Sequence, residues 1–140
     1  MKFIINHADV KLYLSEFQID ENTSFTELAS YLELILNGPF SVWEENGEQI
    51  LLHIKARVAT YRGLKIYINS NEHPPPHFHV HSENVNASFT IKDCAWMAGE
   101  ISNSDFRKLR YWHSEAKHEL IKVWNSTRPT KCIVGKYQEE

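Results

Sequence analysis

The alternation of apolar and polar positions changes period several times along this 140-residue chain, and each change marks an element. Lys2 to Asn6 and Val10 to Ile19 read as strands. The second holds Val10, Leu12 and Leu14 on one face until its alternation slips near Ser15, as at a bulge or an edge. Ser24-Phe25-Thr26-Glu27 is a capping-box pattern, in which serine and glutamate side chains each satisfy a backbone N–H of the first turn. The helix it opens carries Phe25, Leu28, Leu32, Ile35 and Leu36 on one stripe, and Asn37-Gly38-Pro39 stops it. Asn46-Gly47 predicts a tight hairpin between Ser41–Glu45 and a long strand. That strand points Ile50, Leu52, Ile54, Ala56 and Val58 inward, with Leu51, His53, Lys55 and Arg57 outward.

The second half repeats the logic. Leu64, Ile66 and Ile68 alternate with Lys65 and Tyr67, and Asn69-Ser70-Asn71-Glu72 turns the chain into His73-Pro74-Pro75-Pro76-His77-Phe78-His79-Val80-His81. Three prolines fix φ and remove donors, giving a short polyproline lead into a strand. Along that strand Phe78 and Val80 take one face and His77, His79 and His81 the other, about 6.6 Å from ring to ring along the chain. A strand over about Ala87 to Lys92 pairs with it across Ser82-Glu83-Asn84, and Asp93 to Glu100 reads as a connection. Ser102-Asn103-Ser104-Asp105 caps a long helix reaching about Ser126, with Phe106, Leu109, His113, Ala116, Leu120 and Val123 as its stripe and Trp112 and Trp124 beside it. Pro129 closes it, and Lys131 to Tyr137 reads as a short strand or a tail. The sum is an α+β fold with a mixed, largely antiparallel sheet of at least five strands and two main helices. A single domain is expected, with residues 1–58 as an N-terminal extension packed on residues 59–128.

Composition narrows the function. Four tryptophans, six tyrosines and seven phenylalanines exclude disorder, and no apolar run reaches the roughly 18 residues of a membrane helix. The early polar residues of Met1-Lys2-Phe3-Ile4-Ile5-Asn6-His7 do not suit a secretory leader, so a cytoplasmic protein with reduced Cys94 and Cys132 is expected. Residues 1–58 hold four Lys/Arg against nine Asp/Glu, and residues 59–140 hold eleven against nine with six of the eight histidines. That balance argues against sequence-independent binding of nucleic acid while leaving room for a local basic site.

The candidate chemistry sits in the proline–histidine stretch, and three readings of it stand side by side. In the first, the imidazoles are the hydrogen-bonded polar face of an edge strand protected by Pro74 to Pro76. In the second, His77 and His79 chelate a Zn²⁺ ion, with Glu72, His73, His81 or Glu83 as a third ligand. In the third, His77 and His79 cleave a phosphodiester by acid–base catalysis without a cofactor, as metal-independent ribonucleases do. Arg107, Arg110 and Lys117, spaced along one side of the long helix, then stabilise the phosphorane or hold the substrate, and Tyr67 and Trp96 stack its bases. His7 and His53 are isolated and read as solvated side chains.

Gly63 to Ile68, Asn71-Glu72-His73 and Pro75-Pro76-His77-Phe78-His79-Val80 resemble the hallmark segment of a prokaryotic family, domain of unknown function 4160. Gly99-Glu100-Ile101, Trp112, Glu119-Leu120 and Trp124 are similar to that family's closing helix. The likeness spans roughly Thr60 to Asn125; some sixty residues precede it here, and His81 stands where members vary. The resemblance implies a bacterial α+β domain and an association with two-gene modules of toxin–antitoxin type, hence a small cognate protein partner. It implies no particular chemistry.

Overall fold

The computed structural model describes residues 19–20, 22–38, 40–53, 61–69, 75–83, 85–127 and 137. The first helix, α1 (Phe25–Asn37), begins as the sequence predicts: the Ser24 hydroxyl accepts from the Glu27 N–H, and the Glu27 carboxylate accepts from the Ser24 N–H. Leu28, Ala29, Tyr31, Leu32, Ile35 and Leu36 are buried along it, which adds Tyr31 and Ala29 to the expected stripe. Gly38 ends it for want of space, since a Cβ there would run into the Phe40 ring and the Leu34 carbonyl that its own N–H bonds. The hairpin of β1 (Phe40–Glu45) and β2 (Glu48–His53) turns at Asn46 and Gly47, both at positive φ (52° and 79°), the geometry that matches the twist of paired strands. The predicted continuation of β2 to Val58, the strands before Ile19, and the final strand all lie outside the described residues.

A second, four-stranded sheet runs β3 (Lys65–Tyr67), β4 (His77–His81), β5 (Asn86–Thr90), β6 (Trp96–Glu100), each strand antiparallel to the next. Six strands and two helices among the described residues give the expected α+β class. The segment expected to be a connection before Glu100 instead contributes strand β6. It was hidden because an edge strand exposed along most of its length has no apolar alternation to reveal it. Its register with β5 also shifts at Ser88/Phe89, as at a β-bulge.

The long helix α2 (Asn103–Ser126) starts on Ser102, whose hydroxyl accepts from the Asp105 N–H. It crosses one face of the sheet: the Phe78 ring lies 5.8 Å from Trp112 and 6.1 Å from His113, and Phe89 lies 5.6 Å from Phe106. Helix α1 packs on α2 and against β3, and the β1–β2 hairpin packs on α2. The helix–helix join is specific, because the Trp112 indole N–H donates to the Leu28 carbonyl at 3.0 Å. Fully buried Lys108 places its ammonium 3.4 Å from the Leu36 carbonyl, where the last carbonyls of α1 favour a cation. Among the described residues, no helix is long and apolar enough to cross a membrane.

Candidate functional site

Strand alternation decides which side chains meet. Phe78 and Val80 face the helices and are fully buried, and alternation turns His79 and His81 to the opposite face of the sheet, while His77, at the start of β4, is met by Trp124 of α2. Register then lays out that face in rows: Tyr67, His79, Ser88 and Ala98 in one, Lys65, His81, Asn86 and Glu100 in the next, with His77 opposite Thr90.

Within these rows two imidazoles and a phenol form a compact group. The His79 ring stacks on Tyr67, centroids 4.7 Å apart and planes 8° from parallel. His77 meets His79 edge-on at 5.1 Å. His77 Nδ1–H donates to the Pro75 carbonyl at 2.9 Å, which orients the ring and leaves Nε2 as its proton-accepting nitrogen. The Pro76 carbonyl accepts from the Ile91 N–H at 3.0 Å, which ties the entry to β4 to the sheet.

One expectation needs correction. The three imidazoles do not share equal exposure: His81 is exposed and His79 partly so, but His77 is 6% exposed, with Trp124 of α2 6.0 Å from its ring. Alternation predicts which face a side chain takes and not whether another part of the chain covers that face.

The other predicted site residues gather elsewhere. Arg110 holds its guanidinium 5.9 Å over the Phe106 ring, and Arg107 is exposed nearby on the same helix. Lys117 and Arg110 act electrostatically on His113, on the helix side of the sheet. Trp96 is on β6, where it lines a groove with Phe106. The structure therefore joins His77, His79 and Tyr67 in one place; Trp96 meets Phe106 in another, and Arg110 is held over the Phe106 ring. His73 and Glu72 lie outside the described residues. Among the described residues, no group of three His, Cys, Asp or Glu side chains is arranged to hold a metal ion.

Sequence reasoning placed His113 on the apolar stripe and missed its polar contact. Its Nε2–H donates to the Ile91 carbonyl at 2.5 Å, and burial, with Lys117 and Arg110 nearby, holds its pKa below the usual 6.5; the Ile91 bond and Asp93 pull the other way. The neighbouring Cys94 thiol is buried and pushed up to about 12 by desolvation, which makes it an inert core residue rather than a nucleophile. His113 carries a pH prediction. Above its unfolded value both states are neutral and the fold keeps its full stability. As pH falls through 6.5 the unfolded chain takes a proton that the folded ring resists, so stability declines. Urea midpoints should therefore drop between pH 7 and 5, and less steeply in His113→Gln, which keeps a donor but does not titrate. Equal slopes in the two proteins would remove His113 from the acid sensitivity.

No curated protein and no solved structure matches the chain. A family model does: residues 63–125, from Gly63 through the four-stranded sheet and nearly all of α2, match the model of a domain of unknown function, DUF4160, and the N-terminal region lies outside the match.

Proposed function

We propose that the protein cleaves RNA by acid–base catalysis at the His77–His79 pair, and acts as the toxic member of a bacterial two-gene module whose second product, a small cognate protein, silences it. What supports the reading is one juxtaposition: two imidazoles 5.1 Å apart, one oriented by the Pro75 carbonyl and the other stacked on Tyr67. His77 Nε2 takes the proton of a ribose 2′-hydroxyl as its oxygen attacks phosphorus. His79, more open to solvent, gives a proton to the 5′-oxygen as the P–O5′ bond breaks, so one proton is gained and one lost per cleavage. Lys65, two residues from Tyr67 on the same strand face and opposite His81, is the cation positioned to meet the charged phosphorane. This replaces the helix arginines in that role, because they stand across the sheet.

The burial of His77 favours a second reading, in which the imidazoles are a structural polar face and the protein is a non-catalytic interaction module. Purified protein incubated with a mixed-sequence RNA separates the two. The catalytic reading expects 2′,3′-cyclic phosphate ends, a bell-shaped dependence of rate on pH, and growth arrest on expression that co-expression of the neighbouring gene product relieves. Intact RNA at every pH, with unimpaired growth, leaves the interaction module standing.

A further inference from the structure

Strand β3 ends the four-stranded sheet, with β4 paired along one of its edges. Alternate N–H and C=O groups of a strand point to opposite edges, so part of the β3 backbone is aimed away from β4. Among the described residues no strand pairs with that outer edge, and no proline interrupts Gly63 to Tyr67 to blunt it.

Helix α1 packs against β3, and an open groove of about 440 Å³ runs between them. Five consecutive residues, Gly63 to Tyr67, form one wall, and Phe25, Thr26, Ala29 and Ser30 form the other. On the helix these are positions i, i+1, i+4 and i+5, one side of its first two turns. The helical wall lies in the N-terminal region, outside the family match, so the groove depends on both parts of the chain. A sheet edge facing one side of a helix is a trough for an extended chain. The edge offers main-chain hydrogen bonds and the helix offers side-chain contacts, the combination by which peptide-binding domains add a strand.

The walls also select the segment. Leu64, Ile66 and Ala29 are buried and give an apolar floor. Lys65 is exposed, and it is the one charged side chain among the lining residues. In an added strand the residue opposite Ile66 shares its face, and the residue opposite Lys65 shares the other. The segment that fits therefore alternates, with apolar side chains toward the groove and carboxylates toward Lys65.

We infer that the groove between β3 and α1 takes an extended segment of a partner protein, added to the sheet edge and carrying alternate apolar and acidic residues. Tyr67 lines the groove and also stacks on His79, so the added strand borders the histidine pair. One consequence rests on the RNA-cleaving reading: a carboxylate on Lys65 takes the cation assigned there to the phosphorane, and docking silences the site. The docking itself does not depend on that reading.

Nuclear magnetic resonance titration of the full chain with two synthetic heptapeptides tests it, one alternating valine with glutamate and the other valine with lysine. The glutamate peptide should shift the amides of Gly63 to Tyr67 and bind about fivefold or more tightly than the lysine peptide, the difference between opposite and like charges across a strand pair. N-methylating one alternate set of its amides should abolish binding, and N-methylating the other set should leave it, because only one edge of an added strand bonds the sheet. Ser30→Trp, which fills the groove from an exposed position, should abolish binding. Lys65→Glu, a surface change that decides the matter even if Ser30→Trp unfolds, should reverse the preference between the peptides. No shifts at millimolar peptide, equal affinity for the two peptides, or tolerance of N-methylation in both sets overturns the inference. So does dimerisation that Ser30→Trp abolishes, which makes a second copy of the chain the occupant. Binding is read without RNA, so a failure of the histidine chemistry leaves this result intact.

Discussion

Trp112→Ala is expected to destabilise the protein by about 3–5 kcal/mol, a large share of the stability of an ordinary domain. The indole is fully buried and joins three parts of the fold. It lies on α2, its ring packs 5.8 Å from Phe78 of β4, and its N–H reaches the Leu28 carbonyl of α1. Truncation leaves a cavity at the centre of that junction, and a packed neighbour such as Phe78 cannot fill it without moving backbone. Trp112→Phe keeps most of the packing and loses the hydrogen bond, at about 1–2 kcal/mol. Urea unfolding followed by circular dichroism measures both. A midpoint for Trp112→Ala within error of wild type would mean that the two helices are held together elsewhere.

His79→Ala should cost a factor of about 10² or more in RNA cleavage and little in stability, because the ring is partly exposed. His77→Ala should differ in kind. It loses a comparable factor in rate, and it also loses about 1–3 kcal/mol of stability, because the ring is buried and its bond to the Pro75 carbonyl is lost with it. Measuring cleavage and urea midpoints on both variants separates catalysis from structure. If His77→Ala is destabilised and both variants cleave like wild type, the pair is structural and the acid–base proposal is withdrawn.

Much of the fold is legible along the chain because its causes lie within a few residues of one another. The Ser24–Glu27 capping box, the Asn46-Gly47 turn, the Ser102 cap and the alternation through Phe78 and Val80 each depend on neighbours three or four positions away at most. These contacts form the same way whatever the rest of the molecule does, and the structure repeats them. Strand β6 is the exception among local elements. It takes its conformation from pairing with β5, and an exposed edge lacks the apolar period that burial imposes.

The site was legible in its residue types and only partly in its assembly. His77, His79 and Tyr67 come together because β3 and β4 pair in a register that sets Tyr67 opposite His79, and the alternation of both strands was visible beforehand. The separation of Arg110 and Lys117 from that group was not visible. It follows from which sheet face α2 covers, and that choice rests on Trp112 meeting both Phe78 and Leu28, the latter 84 positions away. The burial of His77 beneath Trp124 and of Lys108 at the end of α1 has the same origin. Sequence by itself determined most of the elements and the face taken by Phe78 and Val80, because those follow from backbone geometry and near neighbours. It did not determine β6, nor the face of β2, where alternation points Leu51 outward and the structure buries it. Which faces are covered, and so which histidine reaches solvent, was decided only by packing between distant segments, where burial of apolar area outweighs any local preference.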